Sequence, residues 1–262
     1  MVLPENEKTR FAIDTEIVDN KKILPDVFRI RVHAPEIAMI ARPGQFIHVR
    51  IDSALTILRR PLGVADVDAK EGTVTMFYRL IGKGTHALAL MKKGDTVNCL
   101  GPLGNGFTLG DGKSLIIGGG MGLAPLLFLS KALAKRGEKA DLLLGGRNSD
   151  EIFWQKYFEP FVEHIHITTD DGSMGQKGFT TDALPDMLNK THYDTIYVCG
   201  PDIMMRKIYE IAKEKGVPCQ VSLERRMACG MGACLSCVVD TNDGKRKKVC
   251  TDGPVFWAQE VL

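Results

Sequence analysis

Alternating apolar and polar positions dominate the first hundred residues. Segments 11–18, 27–32, 45–51 and 73–80 each follow a period of two, the pattern of half-buried strands. Pro43-Gly44, Gly72 and Gly94 punctuate them as turns. One helix is expected over 85–91, with Thr85 as its N-cap and Gly94 as its stop. Short strands at this spacing predict a small antiparallel β barrel. After the turn-rich join Gly101-Pro-Leu-Gly-Asn-Gly106 the period changes. Short apolar strands at 114–117, 141–144, 164–168 and 195–199 alternate with helical patterns at 124–135, 150–157, 181–188 and 201–215. Such alternation predicts a parallel sheet with crossover helices, an α/β domain. From about 219 onward the pattern stops. The expected modules are therefore 1–107, an N-terminal barrel, 108–218, an α/β domain, and 219–262, a small C-terminal module.

The 262 residues carry a formal net charge of +2, which gives no bulk electrostatic reason to expect a nucleic-acid partner. The basic run Lys245-Arg-Lys-Lys248 reads as a solvated turn. The longest apolar stretch, 118–129, is interrupted by Gly and Pro and is too short to span a bilayer. The opening Met1-Val-Leu-Pro-Glu-Asn-Glu-Lys8 has no apolar export core, so a cytoplasmic location is expected. Seven cysteines, an odd number without an export signal, argue against a disulfide framework.

Four of those cysteines fall in the last 34 residues, spaced Cys229-x4-Cys234-x2-Cys237-x12-Cys250. C-x4-C-x2-C with a distant fourth Cys is the plant-type spacing for a [2Fe–2S] cluster. Gly230 and Gly232 let the loop wrap closely so that backbone N–H groups can face anionic sulfurs. A zinc site or four unligated thiols are the alternatives; zinc usually takes two close C-x2-C pairs, and one exists here. Cys99 and Cys219 read as small core residues.

The segment Leu115-Ile-Ile-Gly118-Gly119-Gly120-Met-Gly122 is a strand, a Gly turn and a helix start, where a dinucleotide phosphate can approach the backbone. The match to G-x-G-x-x-G is loose, because Leu stands at 123, and a plain tight turn would look the same. Tyr197-Val-Cys199-Gly200-Pro201-Asp202 ends another strand at the edge where parallel sheets bind ligands. Cys199 is either a packed thiol or a group beside the reacting carbon; the second is expected. Arg147 either faces a nucleotide 2′-phosphate or solvates a turn; the turn is expected.

A hydride carrier and a one-electron cluster in one chain need a cofactor that handles one and two electrons, and flavin is the usual choice. Arg59-Arg60-Pro61-Leu62-Gly63 offers cations to a phosphate, Phe77-Tyr78-Arg79 an aromatic plane beside a guanidinium, and Gly84-Thr85 a helix start. A barrel with surface arginines and a core tyrosine would carry the same residues.

Taken together, the modules resemble the ferredoxin reductase-type flavoproteins. In detail they are similar to the electron-transfer subunits of the heteromeric, NAD-linked dihydroorotate dehydrogenases of bacteria. The similarity rests on Arg59-Arg-Pro, Phe77-Tyr-Arg-Leu80, Gly101-Pro-Leu-Gly-Asn-Gly-Phe107, Gly118-Gly-Gly-Met-Gly-Leu-Ala-Pro125, Cys199-Gly-Pro, Glu224-Arg-Arg-Met-Ala-Cys-Gly-Met-Gly-Ala-Cys234 and Cys250-Thr-Asp-Gly-Pro-Val-Phe256. The resemblance implies FAD held by Arg60, Pro61, Leu62, Gly63, Tyr78, Arg79, Leu80, Gly84 and Thr85. It implies a [2Fe–2S] cluster on Cys229, Cys234, Cys237 and Cys250; NAD as co-substrate is expected at the strand ends read above, Gly118, Gly119, Gly120 and Gly200, with Cys199 as the catalytic candidate beside it. Where the family pattern commonly runs Arg-Pro-x-Ser, this chain has Gly63. The implied activity passes electrons from the FMN of a dihydroorotate-oxidising partner chain to NAD+ in pyrimidine biosynthesis, in a heterotetramer of two of each chain. A related NAD(P)H:acceptor reductase subunit serving a ferredoxin- or sulfur-linked partner is the alternative.

Overall fold

Six antiparallel strands close a barrel in the order β1-β2-β5-β4-β3-β6. They are β1 (Phe11–Leu24), β2 (Val27–His33), β3 (Phe46–Arg50), β4 (Arg60–Asp68), β5 (Thr73–Arg79) and β6 (Thr96–Leu103). Helix α1 (Pro35–Ile40) follows β2, and α2 (Lys83–Leu90) follows β5. The computed structural model describes residues 9–51 and 57–262; the opening segment read for an export signal lies outside the described residues. Closure leaves no free edge. The interior is the inward half of each alternating strand, including Ile17, Ile30, Val32, Ile47, Val49, Val64, Val74 and Met76, all fully buried.

Two strands depart from the sequence reading. No strand is expected over the arginine segment, yet Arg60 and Pro61 begin β4, paired with Val49 and His48. Pro61 and Gly63 hid it, because both break strand patterns while remaining compatible with a strand start. β6 was masked by its Gly101-Pro102 end. Thr85 is not the N-cap of α2. Gly82 holds that position, and the Thr85 hydroxyl accepts the N–H groups of Ile81 (3.0 Å) and Gly82 (3.2 Å) from inside the first turn.

The second half is a seven-stranded sheet ordered β10-β9-β8-β7-β11-β12-β15. The chain supplies β7 (Ser114–Gly119), α3 (Leu123–Lys135), β8 (Ala140–Gly146), a 3-10 turn Ser149–Trp154 running into α4 (Gln155–Phe158), β9 (Val162–Thr169), β10 (Gln176–Lys177), α5 (Thr180–Lys190), β11 (Thr195–Cys199), α6 (Asp202–Glu214) and β12 (Cys219–Ser222). Strands β7 to β12 pair in parallel, with helices as crossovers. The C-terminal segment then forms the ribbon β13 (Val238–Asp240) and β14 (Arg246–Lys248), returns as β15 (Val255–Trp257) antiparallel to β12, and ends in α7 (Ala258–Val261). Residues after 218 thus both edge the sheet and carry the cysteines.

The halves are joined by packing as well as by the chain. Phe77 of β5 reaches out of the barrel to Trp154, with ring centroids 4.7 Å apart, a contact worth ~0.5–1.5 kcal/mol beyond its buried area. Lys131 of α3 pairs with Asp66 of β4 at 2.5 Å. The join itself is pinned: Asn105 donates from Nδ2 to the Asp252 carbonyl (2.8 Å), and Gln220 bonds both the N–H and the carbonyl of Thr108.

Candidate functional site: two clefts and a cysteine loop

A cleft of about 690 Å³ opens where the barrel meets the sheet. Arg59, Arg60, Pro61, Leu62 and Gly63 form its barrel wall, with Tyr78, Arg79, Gly82 and Thr85 beside them. Across from these stand Met121, Ala124 and Pro125, Cys199, and the stretch Ser222 to Met227. The C-terminal segment therefore lines this cleft together with the barrel. Gly84 and Leu80 do not line it. Gly84 is covered by the Arg60 guanidinium so closely that a Cβ there would collide with Arg60 Nε, Cζ and Nη2. The Leu80 N–H is spent on the Asp26 carbonyl at 2.8 Å. Arg60 Nη1 donates to the Leu58 carbonyl, which fixes the cation at the mouth of the cleft. Arg59 is turned into the barrel wall, bonding the His48 carbonyl (3.0 Å) and Asn98. The Tyr78 ring is stacked on Phe28 with centroids 5.5 Å apart, and its hydroxyl donates to Asn20. It is wall rather than a free plane.

A second cleft of about 750 Å³ lies at the carboxyl ends of the parallel strands. Gly119, Gly120, Gly145, Gly146 and Gly200 line it. Gly118 sits just beneath, where a Cβ would press into Leu123 and Leu126. Gly122 faces the Cys199 carbonyl with no room for a Cβ, so the glycine run lets the start of α3 settle directly onto β11. This crowding accounts for the loose motif: the glycines serve close backbone approach on both sides of the turn. Arg147 follows β8 and is bound to Glu151, by Nη2 at 2.6 Å and Nε at 2.9 Å.

Arg79, Ile81, Met121, Glu224 and Arg225 line both clefts, so the two spaces meet. Cys199 lines the first cleft, fully buried, its thiol 3.5 Å from the Ser222 carbonyl. Burial, then the nearby Glu224 carboxylate, pushes the thiol well above the ordinary range, so it stays protonated and acts as an uncharged wall. Glu224 is open to the cleft yet surrounded by protein. That enclosure, with Asp202 beside it, raises its carboxyl. Glu224 and Glu151 are site residues that motif reading did not single out. Glu224 stands in the sequence only as the start of the segment that leads into the cysteines, and Glu151 has no local signal at all.

The cysteine loop lies against the barrel side of the first cleft. Gly230 and Gly232 adopt φ of +69° and +85°, and Leu235 adopts +60°, a conformation uncommon outside glycine. These turns aim main-chain N–H groups inward: Met231 and Cys234 each donate to Cys229 Sγ at 3.4 Å. The Cys234 thiol, bonded to Ser236 and near the Cys229 main chain, is pushed down to about 6. Cys237 and Cys250 are buried, and Cys250 is pushed up to about 12 by burial and by the Cys237 thiol beside it. A single tetrahedral zinc would bring four sulfurs within about 3.8 Å of one another. Among the described residues, only Asp141, Glu163 and His164 bring three ligand atoms within 4.8 Å. The four sulfurs are thus spread wider than one zinc ion needs, and donors to sulfur suit an anionic cluster. The carboxylates of the Asp141 group already face Lys113 Nζ, 3.3 Å from both Asp141 and Glu163.

Comparison with known proteins agrees with this geometry. Residues 14–107 match the oxidoreductase FAD-binding domain, 116–210 the oxidoreductase NAD-binding domain, and 224–262 the iron-sulfur cluster binding domain of dihydroorotate dehydrogenase B. The protein from Geobacillus kaustophilus described as dihydroorotate dehydrogenase B (NAD(+)), electron transfer subunit, is 41% identical over 253 residues, covering 94% of this chain and 96% of that protein. The protein of the same description from Fusobacterium nucleatum is 37% identical over 260 residues, covering 95% and 97%. A solved chain from the NADH-dependent reduced ferredoxin-NADP oxidoreductase, studied for flavin-based electron bifurcation, superposes with a TM-score of 0.87 at 39% identity, covering 95% of this chain and 89% of that one. Among the described residues no helix is long and apolar enough to cross a membrane. The barrel, the parallel sheet and the cluster domain are those expected from the sequence, and the chain carries FAD-binding, NAD-binding and iron–sulfur domains. The chain belongs to the family of dihydroorotate dehydrogenase B (NAD(+)) electron transfer subunits.

Proposed function

We propose that this chain passes electrons from the FMN of a dihydroorotate-oxidising partner, via [2Fe–2S] and FAD, to NAD+ in pyrimidine biosynthesis, in a cytoplasmic heterotetramer of two of each chain. The observation that carries the reading is the meeting of the two clefts at Arg79, Met121 and Glu224, with the cysteine loop on the barrel side of the same junction. FAD would supply the exchange between hydride and single-electron transfer, and the cluster on Cys229, Cys234, Cys237 and Cys250 would supply single-electron relay.

Arg60 and the first turn of α2 would hold the flavin phosphates, with Pro61 to Gly63 and Tyr78 to Arg79 as walls. Gly119, Gly120 and Gly200 would receive the nicotinamide nucleotide backbone-first, at the start of α3. Cys199 is an uncharged wall of the first cleft, and Glu224, its carboxyl raised by enclosure, lines both clefts. The dihydroorotate oxidation itself would take place on the partner chain.

Purification with the partner chain, followed by dihydroorotate-dependent NAD+ reduction, tests the proposal. Turnover by the complex and none by either chain alone is the expected result. The solved relative at 39% identity favours one second reading, a reductase subunit with a ferredoxin-linked partner. That reading predicts co-purification with a different chain and no response to dihydroorotate.

A further inference from the structure

His48 lies in the middle of β3, opposite Pro61 of β4 and Leu100 of β6, and is fully buried. Its ring is set edge-on to Phe46, with centroids 6.3 Å apart. Its other face meets the cysteine loop: a Cβ on Gly230 would sit 2.5 Å from His48 Nδ1 and 3.2 Å from Cε1. Gly230 must therefore be glycine for two reasons, its φ of +69° and the imidazole pressed against it. The Cys229 main chain is near enough to act on the ring, yet neither ring nitrogen completes a hydrogen bond among the described residues.

A buried imidazole with both nitrogens unpaired costs free energy and calls for a missing partner. In either protonation state an imidazole carries at least one N–H donor. The barrel strand that carries it also carries the carbonyl that Arg59 binds, one residue away from the cleft wall at Arg60. Resting on the proposed cluster, we infer that His48 donates a hydrogen bond from the barrel into the iron–sulfur group held by the 229–237 loop, and thereby positions that group against the flavin cleft and sets its potential. Hydrogen bonds to cluster sulfurs stabilise the reduced, more negative state and raise the potential.

The test uses the full chain in complex with its partner, labelled with 15N-histidine. Pulsed EPR of the reduced protein should show a weak histidine 15N coupling, and His48→Asn, which keeps a donor near Nδ1, should lose that signal. In redox titrations, His48→Leu should load iron normally yet be tenfold harder to reduce, 59 mV lower for one electron. His48→Asn should recover most of that loss. A [2Fe–2S] signal without histidine coupling, or an unchanged potential in His48→Leu, would overturn the inference. If His48→Leu fails to load iron, the wild-type coupling alone decides. Absence of any cluster signal would instead defeat the function proposed above, so the two failures are separable.

Discussion

Arg79 Nη2 of the barrel lies 3.2 Å from Glu151 Oε1 of the α/β domain, and the same carboxylate is bound by Arg147. Arg79 also reaches Asp26 at 3.1 Å with Nε. Four charges from three segments thus form one chain across the mouth where the clefts meet. Glu151 is its centre, with only 9% of its side chain exposed. A carboxylate this enclosed is stabilising only while both guanidinium groups face it.

Burial works to raise the Glu151 carboxyl, but the Arg147 hydrogen bonds and charge, helped by Arg79, overcome it and hold the group to about 2. A carboxyl lowered in the folded state contributes stability that is complete above its unfolded value, near 4.5, and is lost as pH falls towards 2. Glu151→Gln should cost about 1–3 kcal/mol at pH 7, because two cations lose their charged acceptor. The difference between variant and wild type should shrink between about pH 4.5 and 2. Thermal unfolding across that range checks it; a constant difference would show that the carboxylate is not the tie.

The same pair bears on nucleotide choice. Arg147 lines the second cleft, yet Glu151 neutralises it, and Asp26 and Asp170 add negative charge around it. NADH should therefore be preferred to NADPH. Glu151→Gln frees the guanidinium and should lower the KM for NADPH relative to NADH by up to about tenfold, about 1.4 kcal/mol. Steady-state kinetics with both nucleotides reads this directly, and an unmoved ratio would mean that Arg147 faces away from the ribose.

Gly63 can take a side chain. A Cβ there would lie 3.4 Å from Pro125 Cδ, an ordinary contact. Gly63→Ser should therefore add a hydroxyl to the flavin cleft without strain and strengthen FAD retention by roughly 0.5–1.5 kcal/mol. Arg60→Ala should act oppositely and harder, by about 1.5–3 kcal/mol, since a charge-assisted contact is removed. Arg147→Ala should leave flavin content unchanged. Flavin per chain after dilution and desalting orders the three variants.

Legibility tracked distance along the chain. The cysteine spacing and the glycine run are local, so their chemistry showed in the sequence. The strand Thr195–Cys199 was legible because five apolar-facing residues are bounded by turn signals. β4 was hidden because Arg60, Pro61 and Gly63 are placed for the cleft rather than for strand periodicity. Glu151 and His48 were invisible for a different reason. Each is ordinary in its own segment and acquires meaning only from Arg79, 72 residues away, or from Gly230 in the far C-terminal loop. The boundary drawn at 219 follows the loss of alternation, whereas the strand Cys219–Ser222 still pairs with β11 because its four residues are all buried.

Cys234 is the most accessible of the four cysteines proposed to hold the cluster; its thiol meets the Ser236 hydroxyl and its main-chain N–H donates to Cys229 Sγ. Cys234→Ser should lose iron while keeping FAD, although Ser222 to Met227 and Pro254 line the flavin cleft. Those residues are held by β12 and β15, which the substitution does not touch. Iron and flavin measured on the same sample decide the point; equal loss of both would show that the cysteine loop and the cleft stand or fall together.

Met231 and Leu235 flank Cys234 and are 51% and 61% exposed, two large apolar side chains on a loop whose other residues are small or polar. Leu235 is held in the left-handed region, a conformation that costs roughly 1 kcal/mol or more for a non-glycine residue and presents its side chain outward. Beside the proposed cluster, this loop is the face that the partner should cover if single electrons are to cross between the chains. The loop should gain strong amide-exchange protection on assembly, together with the adjoining segment from Cys250 to Trp257. The outer face of the barrel at β1 and β2 should not. Met231→Lys should weaken assembly at least tenfold while leaving NADH oxidation by an artificial acceptor intact, because that half-reaction needs only the two clefts. Dihydroorotate turnover by the complex should fall in proportion to assembly. Protection confined to the barrel, or a Met231→Lys variant that assembles normally, would place the partner elsewhere.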